Sequence, residues 1–206
     1  NTDRAAELKL DMPRSWEDLL KPEYAKKVRM AHPATSGTAY NMLTTLIRIY
    51  DGDEDKAFDY FKKLSASVEQ FTRSGSAPGK SCAIGEIPIA IGYLHDQVKL
   101  QKEGAPIEIV IPSDGTGAET ASMSILKDGP DALNAKKLYD WILGQKAMDI
   151  IASWYVIPLS SLATPSETGF SLAKMKMLKD DQWDAANKER LIERWNREIS
   201  MAPEKK

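Results

Sequence analysis

Three times along the chain a short apolar run ends in a knot of small residues that opens toward a helical pattern. Lys27-Val28-Arg29-Met30-Ala31 leads through Pro33 into Ser36-Gly37-Thr38. Behind that knot the apolar residues Ala39, Met42, Leu43, Leu46, Ile47 and Tyr50 recur at the spacing of an amphipathic helix. Val68 to Thr72 leads into Arg73-Ser74-Gly75-Ser76-Ala77-Pro78, where Pro78 suits a first helical turn because its missing N–H does no harm there. Ile107 to Ile111 leads into Pro112-Ser113-Asp114-Gly115-Thr116-Gly117, with a helix expected beyond. Strands alternating with helices demand an α/β fold with a largely parallel sheet. In such sheets these corners gather at the carboxyl ends of the strands, where ligands bind.

A strand, a small-residue turn and a helix leave free backbone N–H groups at the helix start. With the positive end of the macrodipole behind them, those groups suit a phosphate, phosphonate or carboxylate. The alternative is simpler: Ser36 is an N-cap and Gly37 eases the turn. Spacing alone leaves both open, and recurrence of the corner favours the anion site.

The rest of the chain is read from pattern. Asn1 to Lys9 carries no strong signal, and Ser15 to Leu20 forms a short helix stopped by Pro22. Helices are expected over 37–50, 53–64, 78–85, 94–103, 131–153 and 180–199, the last with Leu191, Ile192, Trp195 and Ile199 as its buried stripe. Ile87 to Tyr93, rich in isoleucine and bounded by Gly85 and Gly92, is the most strand-like segment. Residues 158–169 form a loop.

Composition narrows the function classes. Hydrophobic residues at 42% and charged residues at 28% describe a globular chain of 206 residues. A net charge of −2 gives no broad basic field, so nucleic acid is not an expected partner. Apolar runs near Ile87–Leu94 and Ile150–Leu159 are broken by Pro88, Gly92 and Pro158, too short for a membrane span. The single cysteine, Cys82, permits neither an internal disulfide nor a cysteine cluster and is expected as a buried thiol. The sequence starts at Asn1, without Met, and is expected to be a processed chain or a fragment.

Chemistry-bearing residues are few. His32 precedes Pro33 and is expected to be structural, whereas His95-Asp96 comes after the third strand and stands at the ligand edge. Helix neighbours do not face one another, and no Gly-x-Ser-x-Gly motif accompanies the pair, so catalysis is not expected of them. As two polar groups offered to one ligand they can grip sugar hydroxyls; a solvated helix start is the alternative. Glu119 either points into the same cleft or stabilises a first turn. Neither Ser36-Gly37-Thr38 nor Ser74-Gly75-Ser76 has the character of a nucleotide-hydrolysing P-loop. The acids do not cluster with the histidines, so no metal is expected, and Asp51 to Asp55 is explained by a helix cap better than by a calcium loop.

Taken in order, these segments resemble a family. Pro13 to Leu20, Pro33 to Tyr40, Gly52 to Ala57, Thr72 to Ser76, Gly85-Glu86, Ile111 to Thr116 and Trp141-Ile-Leu-Gly-Gln-Lys146 are similar to periplasmic solute-binding proteins of ABC importers. The branch is the type II iron, phosphonate and phosphosugar group, and the resemblance covers nearly the whole chain. It implies two α/β lobes joined by a hinge, with no cofactor and no catalysis. By this resemblance residues 1–106 form the second lobe, with the hinge strand at its start. Residues 107–206 form the hinge return and the C-terminal part of the first lobe. The first half of lobe 1 is absent from the chain and is expected as a separate segment or chain, because the remainder would otherwise expose apolar surface.

The resemblance also implies a ligand. Ferric-ion members carry adjacent tyrosines where this chain has Tyr93-Leu94-His95-Asp96. A His-Asp pair there, with Glu119 past the third corner, is similar to the hexose-phosphate-binding branch. His95, Asp96 and Glu119 would then hold the sugar, and Ser36, Gly37, Thr38, Ser74 and Ser76 the phosphate. The expectation is a monomeric periplasmic protein that delivers a hexose 6-phosphate to a membrane ABC permease. Aminoethylphosphonate and ferric iron are the alternatives within the fold, and a phosphosugar hydrolase is the alternative from another class.

Overall fold

Strand β1 (Val28–Ala31) is the centre of a three-stranded parallel sheet in the order β2-β1-β3, with β2 spanning Val68–Thr72 and β3 Ile89–Ala90. The computed structural model describes residues 1–158, 160–161, 163–164, 170, 175–178 and 186–199. They fall into two compact units: residues 1–118 with 171–206, and residues 119–170.

In the first unit, helix α2 (Gly37–Ile49) comes after β1, and α3 (Glu54–Ser67) returns the chain to β2. Both helices lie close to the boundaries expected from sequence. Asp53 caps α3 by accepting the Lys56 N–H at 3.0 Å, which accounts for the acidic stretch there. The core is continuous between the sheet and these helices: Val28, Met30, Leu43, Leu46, Ile47, Phe58, Phe61, Leu64, Val68 and Phe71 are all buried. Two further helices come after β2, α4 (Ala77–Ala83) and, beyond β3, α5 (Leu94–Lys102).

Five expectations are corrected. The unpatterned start forms helix α1 (Thr2–Leu8), capped by the Asn1 side chain on the Arg4 N–H, with Lys9 left-handed at φ 54°. Its periodicity is invisible in the sequence because Ala5 is the only residue it buries among its seven. The strand-like run from Ile87 to Tyr93 keeps only Ile89–Ala90 in the sheet, since β3 pairs on one side with Val28 and Arg29 alone and Pro88 has no N–H to give. Ile107 to Ile111 finds no ladder partner among the described residues, and a strand exists only through its neighbours. The stretch after Gly117 is not helical, and the long helix expected over 131–153 is broken at Leu143 and Gly144.

The closing helix α8 (Lys188–Glu198) also belongs to the first unit; its expected beginning, 180–185, lies outside the described residues. Leu191, Trp195 and Ile199 are buried as their spacing predicts. The Trp195 ring meets Phe61 at 4.9 Å, Phe71 at 5.7 Å and His32 at 6.0 Å between centroids, all edge-on. Arg190 and Arg194 tie the helix to α3 through Glu54 and Asp55.

The second unit contains helices α6 (Ala132–Ile142) and α7 (Gln145–Ser153), with Asp131 capping α6. Only Ala147 and Ala152 of these helices are buried, while Leu133, Leu138, Trp141 and Ile150 are exposed. No described helix is long and apolar enough to cross a membrane.

Candidate site at the carboxyl edge of the sheet

The site is built from the turns at the carboxyl ends of β1, β2 and β3. After β1, the His32 carbonyl accepts the N–H groups of Thr35 and Ser36 at 3.1 Å each, turning the chain sharply. The buried His32 ring accepts the Ala34 N–H at its Nδ1, 3.1 Å away, and so plays the structural part expected of it. Ser36 then stands extended at φ −136° and its Oγ accepts the Ala39 N–H at 3.4 Å. The cap reading of Ser36 is therefore correct as geometry, and the first N–H groups of α2, at Gly37 and Thr38, have no partner within the helix itself.

After β2, the buried Thr72 donates its hydroxyl to the Ser74 carbonyl at 2.9 Å, which folds Ser74-Gly75-Ser76 back on itself. The Ser74 and Ser76 hydroxyls lie 3.3 Å apart on this turn. A further sheet-like bond, His32 N–H to the Thr72 carbonyl at 2.8 Å, fixes this corner beside the first one.

Gly75 is where the two corners meet. A Cβ at this position would collide with Thr38 Oγ1 and stand 2.9 Å from Ser36 Oγ. Ser36, Thr38 and the Ser74–Ser76 turn are thus brought into one patch of hydroxyls and backbone N–H groups, without a carboxylate among them. Groups of this kind suit an anion.

After β3, Tyr93 precedes α5, and His95 and Asp96 lie in its first turn, both side chains about one-third exposed. His95 Nε2 is 3.6 Å from Asp96 Oδ1, beyond hydrogen-bond length, as expected for helix neighbours. Their polar atoms are therefore available to a third group. The Tyr93 ring lies 5.8 Å from that of His95. Gly92, just before this turn, approaches Gly75: a Cβ on it would be 3.7 Å from the Gly75 carbonyl oxygen. The turns after β2 and β3 are neighbours.

The corner from Pro112 to Gly117 is held differently. Asp114 accepts the Trp16 N–H at 3.0 Å, and the Gly115 carbonyl accepts Trp16 Nε1–H at 2.8 Å. Gly117 packs on Thr45, Arg48 and Asn41, so this corner lies along the side of α2. Glu119 is exposed and is the first residue of the second unit. It is not among the groups that converge within the first unit. Sequence reasoning missed Thr72 and the close approach at Gly75. A threonine closing a strand before Ser-Gly-Ser is the available signal.

Residues 1–189 match the family described as bacterial extracellular solute-binding protein. The chain belongs to that family. This solute-binding chain is 36% identical to an uncharacterised Haemophilus influenzae protein, over 98% of its own length and 60% of the relative. It is 35% identical to the periplasmic binding protein AfuA from Actinobacillus pleuropneumoniae, solved with exogenous fructose 6-phosphate bound; the likeness covers 98% of this chain and 65% of AfuA, with a TM-score of 0.82. A Salmonella typhi periplasmic protein named for 2-aminoethylphosphonate binding is 24% identical over 83% of this chain and 52% of its own. The chain thus spans roughly 52–65% of these relatives. The α/β fold matches that of periplasmic binding proteins, and the named relatives are binding proteins and not enzymes. The family places the chain outside the cytoplasm, as its periplasmic relatives are.

Proposed function

We propose that the protein captures an anionic organophosphate, a hexose 6-phosphate, and delivers it to a membrane ABC permease. The observation that carries this reading is the meeting of Thr38 and Ser36 with Gly75, next to the turn that presents His95 and Asp96. An anion patch and a donor–acceptor pair at one sheet edge suit a ligand with a phosphate at one end and hydroxyls at the other. Ser36, Gly37, Thr38, Ser74 and Ser76 take the phosphate and His95 and Asp96 take the sugar; the resemblance to the hexose-phosphate-binding branch, and no contact within the first unit, adds Glu119 to the sugar set. The fructose 6-phosphate bound to AfuA supports the same ligand class here. Closure of two lobes on the ligand would present the liganded state to the permease.

A second reading is 2-aminoethylphosphonate, favoured by the name of the Salmonella relative. It uses the same anion patch and offers the Asp96 carboxylate to the amine.

Calorimetric titration of the whole gene product with glucose 6-phosphate, fructose 6-phosphate and 2-aminoethylphosphonate separates the two. Heat with the sugar phosphates and a loss in His95→Ala, Asp96→Ala or Glu119→Ala larger than the loss for inorganic phosphate is the expected result. Equal losses for both ligands overturn the assigned roles, and heat with the phosphonate alone overturns the sugar.

A further inference from the structure

The Gln97 carboxamide sits in a slot made of two glycines. A Cβ on Gly79, in α4, would lie 2.5 Å from Gln97 Oε1 and 2.7 Å from Nε2. A Cβ on Gly92, before α5, would lie 2.7 Å from the same Nε2. No side chain other than hydrogen fits at either position while Gln97 stays where it is. Its Nε2 is sealed from solvent and has no hydrogen-bond partner among the described residues. A buried amide donor left unsatisfied is unfavourable, so its own hydrogen bonding is not what keeps it there.

Three elements meet at this side chain. Gly79 belongs to the helix that comes after Ser74-Gly75-Ser76, Gly92 lies against the Gly75 carbonyl, and Gln97 shares the first turn of α5 with His95 and Asp96. Gln97 also lines a cavity of about 200 Å³ together with Trp16, Ile89, Ile91 and Thr116, so it is packed on the glycine side and open on the other.

We infer that Gln97 is a positioning residue that sets the reach between the anion patch and the His95–Asp96 pair, and thereby the length of organophosphate accepted. The inference rests on the organophosphate reading proposed for the site. Gln97 itself touches no ligand; it acts through the turn that carries His95 and Asp96. A misplacement of this kind weakens contacts at the organic end and spares those at the anion end.

The test is calorimetry on the whole gene product, comparing glucose 6-phosphate with inorganic phosphate, alongside a thermal melt. Gln97→Ala is expected to weaken the sugar phosphate about tenfold and phosphate less than about threefold. Gln97→Met, which keeps the length of the side chain, restores most of the sugar-phosphate affinity. Gly92→Ala, which pushes a methyl into Nε2, reproduces the loss, and the double variant Gly92→Ala/Gln97→Ala loses less than the sum of the two. Equal weakening of both ligands in step with a lowered melting temperature means a structural role only, and overturns the inference. So does unchanged discrimination, or full additivity of the double variant. If the wild-type protein binds 2-aminoethylphosphonate and no sugar phosphate, the substrate reading fails alone, and the same ratio is read with the phosphonate. Wild-type silence toward every organophosphate overturns both.

Discussion

Gly75 and Thr38 are in contact so close that no side chain can be added to the glycine without moving the threonine hydroxyl. This one contact joins the corner after β2 to the first turn of α2. Gly75→Ala is therefore expected to separate the two corners and weaken binding of any phosphate ligand by about tenfold or more, since donors from both corners no longer reach one anion. Calorimetry with inorganic phosphate checks it, and unchanged affinity would show that the corners act independently.

Ser36 caps α2 and also belongs to the proposed phosphate set. Its cap on Ala39 predicts that Ser36→Ala costs about 1 kcal/mol of stability, measurable by urea denaturation without ligand. Asp53→Ala, which removes the cap of α3 outside the site, serves as the comparison: the same order of stability loss with ligand affinity kept.

Trp195 is nearly fully buried against Phe61, Phe71 and His32. Trp195→Ala is expected to cost about 3–5 kcal/mol by transfer and cavity terms. Trp195→Phe keeps an aromatic ring edge-on to Phe61 and also removes the indole Nε1–H, which is buried without a partner among the described residues. Its loss is expected to be clearly smaller, and chemical denaturation of the two variants decides this.

Acid should loosen α8 before it loosens the sheet. The Arg190 guanidinium, hydrogen-bonded to Glu54 at 2.7 and 2.8 Å, holds that carboxyl below its ordinary value of 4.5. A carboxyl depressed in the folded state contributes stability above its unfolded value, and the contribution fades as pH falls through the folded one. Hydrogen exchange across residues 188–198 is expected to quicken as pH drops below about 4.5, relative to α2, and Glu54→Gln to reduce that step, the remainder coming from Glu198, which burial pushes up but the bonds from Arg194 and Lys62 hold low on balance. The Arg190 side chain is about half exposed, so salt should weaken the effect.

The sequence is legible to different depths in different segments. The stripe from Ala39 to Ile47 and the stripe of α3 read correctly because each buries one face against the same sheet, and burial imposes the helical period. Ile107 to Ile111 looks as much like a strand as Val28 to Ala31 does. Apolar content does not create a ladder; a neighbour does. Among the site residues, Ser36, Thr38, Ser74 and Ser76 can be nominated from their corners, and His95-Asp96 from its place after β3. That the first four share one patch cannot, because Gly75 and Thr38 are far apart in the chain and nothing local requires them to touch.

Local pattern was enough for the strand, corner and helix succession around β1 and β2, the caps at Ser36 and Asp53, and the buried stripe of α8, since each depends on residues within a few positions of one another. Long-range packing sets which corners meet, lodges Gln97 between Gly79 and Gly92, and leans the corner from Pro112 to Gly117 on Trp16 and α2. Those are contacts between distant segments, set by how the sheet orders its strands and by close packing that a missing Cβ permits.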